Sequence, residues 1–444
     1  MMTWGDEHVL LRTQSFHFLN FTWLKLGDNT MSYTRRDFLK ATLGASTMLS
    51  LASPAPNLLA LDEDTGAARR DDRDTVLVVV QLSGGNDGLN TVVPYADDEY
   101  ARNRPTLRLQ PKDVHKIDSY LGFHPRMEAF SRLHKEGHLS ILHGVGYPNS
   151  DRSHDVAMRH WHSAKPDDPN CQTGWLGRAA DSVWHTNQKD MPAVFVGPII
   201  QPFGLRAEHV IISSIKSPDD LTIDPAPGEL QPNRAVESFR ADNDNPLLNH
   251  LRDCTANAST KSRRIEAVVR ASANKAEYPS FRLAETLCTV AQLVRADIGI
   301  RIFFTELGGG GIGGFDNHAN QLGNHCSLLH HLSESLAASI HDLKKDKLLD
   351  RVLLMTISEF GRTVKENGRR GTGHGAAAPI FLAGGKLKSG LIGPHPSLTD
   401  LDNGAMKFHT DFRRIYATVL DRWLGFDSLT VLGKRFEPLD ILNV

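Results

Sequence analysis

Asp87, Asp316, His318, Glu359 and His374 are the side chains whose type and setting point to chemistry, because each stands in a glycine-rich or polar turn beside an apolar run. Asp87 sits in Ser83-Gly84-Gly85-Asn86-Asp87-Gly88, Asp316 and His318 in Gly314-Phe315-Asp316-Asn317-His318, Glu359 in Ser358-Glu359-Phe360-Gly361-Arg362, and His374 in Gly371-Thr372-Gly373-His374-Gly375. Carboxylates and imidazoles brought from separate loops are what Zn²⁺, Mn²⁺, Mg²⁺ or Ca²⁺ requires when no local cage supplies its donors. Asp316 and His318 would offer two donors from one turn. Taken singly, each has a structural alternative: an Asp in such a turn caps backbone amides, and a lone His makes one hydrogen bond.

The elements that must position these groups are legible as apolar runs. Thr75–Leu82 is continuous and β-branched, which suits a strand covered on both faces at the centre of a parallel sheet. Strands are also predicted over Leu139–Val145, Ile298–Thr305 and Arg351–Ile357, each handing a polar cluster to a loop. In open α/β sheets the loops at the carboxyl ends of strands carry the ligand site. Helices are predicted from about His154 through Trp161, over Leu247–Ala273 and Phe281–Ala296, and over Leu328–Leu343, where six apolar residues recur at helical spacing. On that last helix His330, His331 and His341 read as helix-face residues and not as ligands. The Pro-, Asn- and Asp-rich stretch from Pro225 to Pro246 reads as a surface segment.

Composition narrows the class further. With 444 residues, 40% hydrophobic and 23% charged, the chain has enough apolar material for one substantial core or two smaller ones. A net charge of −2 provides no electrostatic footprint for nucleic acid or an anionic membrane, so neither is expected as a partner. Cys171, Cys254, Cys288 and Cys326 are too widely spaced for a zinc ribbon or a redox pair, and structural thiols are the simpler reading.

Near the amino terminus, Thr34-Arg35-Arg36-Asp37-Phe38-Leu39-Lys40 precedes an uncharged stretch from Ala41 to Ala60. It resembles a twin-arginine (Tat) export signal. Its apolar part, Ala41–Leu51, is about half the ~20 residues a spanning helix needs, so no stable membrane span is expected once the signal is removed near Ala52 or Ala60. The expected organisation is an upstream extension (1–30), the signal (31–60), a charged linker (61–74) and one folded domain (75–444). The mature protein is expected outside the cytoplasm, in the periplasm or an equivalent compartment, with the Tat machinery as its export partner.

Several motifs together carry a family resemblance. Gly84–Tyr95, His143–Asn149, Arg152-Ser153-His154, Gly174–Arg178, Gly314–His318, Ser358–Arg362 and Thr410–Arg413 resemble the bacterial Tat-exported family called domain of unknown function 1501, within the alkaline phosphatase and sulfatase superfamily. The resemblance implies an alkaline phosphatase-like three-layer α/β/α sandwich with a mainly parallel sheet, in which divalent metals flank a nucleophile. It implies Asp87, Asp316, His318, Glu359 and His374 as metal ligands. Phe360 and Gly373 depart from the pattern, standing where a His and an Asp would be.

Ser153 is the candidate nucleophile, because the amino end of a helix favours the anion of a phosphate or sulfate ester. Its alternative role is a helix cap. Arg152 and Arg362 are the candidates for holding ester oxygens, although Arg362 is equally a structural partner for Glu359. Two functions follow: an exported metal-dependent hydrolase of small-molecule or polymer esters, or a non-catalytic surface or binding protein with a degenerate site.

Overall fold

Val76–Leu82 (β1) is buried along its whole length because successive residues enter different cores. Val76, Val78, Val80 and Leu82 join one hydrophobic cluster, and Leu77 and Val79 join the other. That two-sided burial explains why its sequence shows no polar alternation. The computed structural model describes residues 74–184, 191–198, 200–215, 265, 267–269, 276–309 and 314–444. The expected extension and signal, the linker before Asp74, the segment Pro225–Pro246, and the predicted Leu247–Ala273 helix apart from Ile265 and residues 267–269 lie outside them.

The other strands of the main sheet are Leu139–Gly146 (β2), Ala193–Val196 (β3), Ser213–Ile215 (β4), Ile302–Leu307 (β5), Val352–Ile357 (β6), Ala378–Gly384 (β7), Gly390–Ile392 (β8) and Thr410–Asp411 (β9). Their order is β8-β2-β7-β6-β1-β5-β3-β4, with β9 paired beside β2. All of these pairings are parallel except those of β7, which runs antiparallel to both β2 and β6. This is the mainly parallel α/β architecture expected from the sequence. β5 begins later than predicted: Gly299 adopts φ +85°, a left-handed conformation that interrupts extension before Ile302.

Helices cover both faces. Glu128–Lys135 (α1), Arg282–Ala296 (α4) and Gln321–Lys345 (α5) pack on one face; His154–Ser163 (α2), Trp175–Trp184 (α3) and Phe412–Thr418 (α6) pack on the other. The six predicted apolar positions of α5, Leu328, Leu329, Leu332, Leu336, Ile340 and Leu343, are all buried. Each contributes about 1.5–3 kcal/mol relative to exposure. On the opposite face Trp175 stacks on Tyr416 and Trp161 on Phe412, with ring centroids 4.0 and 4.3 Å apart. Among the described residues no helix is long and apolar enough to cross a membrane.

Topology dictates where a site can form. The loops leaving β1, β2, β5 and β6 emerge at one edge of the sheet, and antiparallel β7 enters from that same edge. A small antiparallel sheet built on Arg362–Glu366 and Thr372–His374 lies between β6 and β7 in sequence and pairs Arg362 with His374. Asp316, Glu359 and His374 are thereby delivered together.

Candidate metal centre

Four side chains, His154, Asp316, His318 and His374, each place one donor atom within 4.8 Å of the other three. Asp316 Oδ1 is the hub: His318 Nε2 lies 2.9 Å away, His374 Nε2 3.2 Å and His154 Nε2 3.4 Å. The Nε2 atoms of His318 and His374 are themselves 2.9 Å apart.

The opposite nitrogen of every ring is already committed. His318 Nδ1 donates to the Thr372 carbonyl at 2.9 Å, His374 Nδ1 to the Arg152 carbonyl at 2.6 Å, and His154 Nδ1 to Glu359 Oε1 at 3.0 Å. A carbonyl accepts only, so in the Nδ1–H tautomer, the one a cation requires, each ring turns its Nε2 lone pair inward; the Asp316 carboxylate, itself an acceptor, draws the hydrogen of His318 and His374 the other way. His154 Nε2 is buried without a hydrogen-bond partner. With all three rings in that tautomer, the inward lone pairs beside a carboxylate repel one another unless a cation, a metal ion or a proton, lies among them. Two donors about 2.0–2.1 Å from one tetrahedral ion stand about 3.4 Å apart; the three nitrogens lie 2.9, 3.2 and 3.4 Å from Asp316 Oδ1, at that spacing or up to about half an ångström inside it.

Local electrostatics follow from the same contacts. The His154 imidazole is raised above its ordinary pKa by its hydrogen bond to Glu359, against the opposing pull of burial. Burial lowers His374. Burial would raise Asp316, but the hydrogen bond and charge of Arg362 outweigh it and hold the carboxyl below its usual range. Phe360 stacks on His374 at 4.5 Å between centroids and tilts against His154 at 5.0 Å, forming an apolar wall where the resemblance led one to expect a histidine.

Backbone geometry supports the hub. Gly84 has φ +110°, and a Cβ there would stand 2.5 Å from the Asp316 amide nitrogen, so only glycine lets the loops after β1 and β5 meet. The Gly84 amide also donates to Glu359 Oε1 at 2.7 Å, fixing the carboxylate that orients His154.

Glu359 is buried behind His154, touching its outer nitrogen and standing outside the four-donor group. Asp87 also lies outside the group, because its carboxylate is gripped by Arg104 through bonds of 2.6 and 3.0 Å and accepts from Gln321. Arg362 is fully buried; it bonds Asp316 Oδ1 at 2.7 Å and the carbonyls of Gly84, Gly85 and Phe315. Arg152 turns its guanidinium to the carbonyls of Asp402 and Asn403. Ser153 is exposed at the position before α2, and its hydroxyl makes no capping bond. His154 was visible only within the Arg152-Ser153-His154 motif, and Arg104 gave no local signal in the sequence.

A three-layer α/β/α protein with a candidate metal centre at the carboxyl edge of its sheet is the class that fold and site define. The chain belongs to the family described as protein of unknown function (DUF1501), whose model matches residues 74–432. No curated protein matches it. Solved structures similar to it include the zinc-bound C-terminal periplasmic domain of EcEptC from Escherichia coli (11% identity, 71% of this chain and 74% of that one, TM-score 0.34). The lipoteichoic acid synthase LtaP from Listeria monocytogenes (10%, 80% and 73%, 0.37) and the alkaline phosphatase of the Antarctic bacterium TAB5 (12%, 71% and 92%, 0.31) are others. At such identities and scores they assign no chemistry to this chain.

Proposed function

We propose that this protein is an exported, metal-dependent hydrolase of phosphate or sulfate esters whose cation is held by His154, Asp316, His318 and His374. The observation that carries the reading is the convergence of three Nε2 atoms on Asp316 with an acceptor facing every Nδ1. Three imidazoles and one carboxylate favour Zn²⁺ over Mg²⁺ or Ca²⁺, which prefer all-oxygen shells. A bound cation would supply charge neutralisation for the ester oxygens. Glu359 holds His154 in the tautomer that binds, and Phe360 excludes water from one side.

Ser153, next to His154 in the chain and without a capping bond, is the proposed nucleophile. Its oxygen attacks phosphorus or sulfur, the hydroxyl proton passes to solvent and the alcohol leaves. Water then attacks the phosphorus or sulfur of the seryl ester, breaking its bond to the serine oxygen, releasing inorganic phosphate or sulfate and restoring the hydroxyl. The guanidinium groups of Arg152 and Arg362 are spent on protein carbonyls and Asp316, so positive charge for the ester rests on the cation site.

The test is metal analysis of purified protein followed by a screen of phosphate and sulfate esters, with Asp316→Asn and Ser153→Ala as controls. About one metal per chain is expected, with hydrolysis that both substitutions lower by at least about 100-fold. A metal-loaded protein inert to every ester would instead support a non-catalytic binding protein, the reading favoured by the capture of Asp87 by Arg104. Export is tested separately: Arg35→Lys/Arg36→Lys should leave the protein in the cytoplasmic fraction of a Tat-competent bacterium, and unchanged periplasmic recovery would exclude this route.

A further inference from the structure

Asp87 and the metal centre are joined by a buried chain of contacts that the proposed chemistry does not itself use. Gln321, the first residue of α5 and 1% exposed, donates from Nε2 to Asp87 Oδ2 and accepts at Oε1 from the Thr372 hydroxyl at 2.8 Å. The amide orientation is forced, since a carboxylate faces one end and a hydroxyl the other. Thr372 is fully buried, and its carbonyl accepts the His318 Nδ1 hydrogen. Beyond Asp87, Arg104 fixes the far end through two bonds to the carboxylate and two to the carbonyls of Thr363 and Val364.

We propose that Asp87, clamped by Arg104, is a positioning residue that acts through Gln321 and Thr372 to hold His318 in its Nδ1–H tautomer. The inference rests on the metal centre described under the proposed function, and it deepens that reading by naming what keeps one ligand competent. His318 faces competing demands. Asp316 Oδ1, 2.9 Å from Nε2, draws a hydrogen to the inward nitrogen, whereas the Thr372 carbonyl draws it to the outward one. A hydrogen on Nε2 would tie His318 to Asp316 and remove two donors from a cation at once. The Thr372 carbonyl must therefore stay in place, and the bond from its own hydroxyl to Gln321 secures that residue. Backbone contacts, the Thr372 amide to the Asn317 carbonyl at 3.1 Å and the pairing with Glu366, hold the strand, and the hydroxyl bond to Gln321 adds the anchor that sets the carbonyl's direction, which the 3.5 Å contact from Arg362 is too long to supply.

Thr372→Val tests this, because it removes the hydroxyl while keeping shape and backbone pairing; Gln321→Met breaks the same chain one link away. In full-length metal-free protein, histidine ¹⁵N spectra should show His318 as the Nδ1–H form in the wild type and a mixture of tautomers in both variants. Zn²⁺ affinity, measured by competition with a chromogenic chelator, should fall about 10- to 100-fold in both, while Thr372→Ser should stay within about threefold of wild type. Far-UV circular dichroism identifies any variant that fails to fold, and the other then decides. A single Nδ1–H form with wild-type Zn²⁺ affinity in a folded variant would overturn the proposal. Should the wild type itself bind no Zn²⁺, the reading of the metal centre fails, and the tautomer spectra still decide whether the chain of contacts positions His318.

Discussion

Arg104→Met is expected to lower the stability of the folded protein by about 3–5 kcal/mol at neutral pH, a cost typical of stripping one partner from a buried ion pair. Neither charge of the pair is exposed by more than a few per cent, and burial works against both. Burial alone would raise the Asp87 pKa, yet the charge and hydrogen bonds of Arg104 outweigh it and bring the carboxyl from 3.8 down to about 2. A carboxyl depressed in the folded state stabilises the fold above its unfolded pKa, and that contribution is lost as pH falls through the folded value. In the wild type, about 2 kcal/mol should therefore disappear between about pH 4 and pH 2. The variant reverses the sign: with Arg104 gone, protonation relieves an unpaired buried charge, so the gap between variant and wild type narrows on acidification. Denaturant melts at pH 7 and pH 3 check this, and a constant gap would refute it. A second substitution, Asp87→Leu, should recover only part of the loss, because the carbonyls of Thr363 and Val364 still lack the donor they had.

The same pair shows where sequence reasoning reaches its limit. An aspartate following the central strand in a glycine-rich turn has the surroundings of a metal ligand, and nothing within that turn distinguishes it from one that faces an arginine. The distinction lies in Arg104, at the end of a short helix 17 residues later, brought close by tertiary packing alone. Asp316, His318 and His374 were legible because their turns leave or enter strands at one edge of the sheet, and the apolar runs fix those strands. His154 was obscured for a different reason: helical periodicity places it in the first turn of α2, where Ser153 invites attention as a cap or nucleophile. Only the return of α2 over the edge of the sheet shows the ring of His154 pointing at Asp316 and backed by Glu359. Phe360 reads in sequence as a lost ligand, whereas in space it packs flat against His374.

His374→Ala separates the metal centre from an ordinary polar cluster by the direction of its effect. Without a cation, rings held in the Nδ1–H form would set two inward lone pairs 2.9 Å apart, both facing a carboxylate oxygen. Such an arrangement costs stability in the metal-free protein, so deleting one ring relieves repulsion as well as removing its stacking on Phe360 and its bond to the Arg152 carbonyl. Metal-free His374→Ala should melt at a temperature close to that of the metal-free wild type. With Zn²⁺ added to 100 times its dissociation constant, the wild type should gain about 2.7 kcal/mol by mass action. The variant, left with three donors, should gain almost nothing at that concentration. The opposite pattern, a large loss in metal-free protein together with an unchanged response to Zn²⁺, would mean that the ring is an ordinary structural hydrogen-bonding group. Calorimetric melts of both proteins, with chelator and then with Zn²⁺, distinguish these outcomes without any substrate: a cation site is destabilising when empty and stabilising when filled, and a hydrogen-bonded histidine cluster is neither.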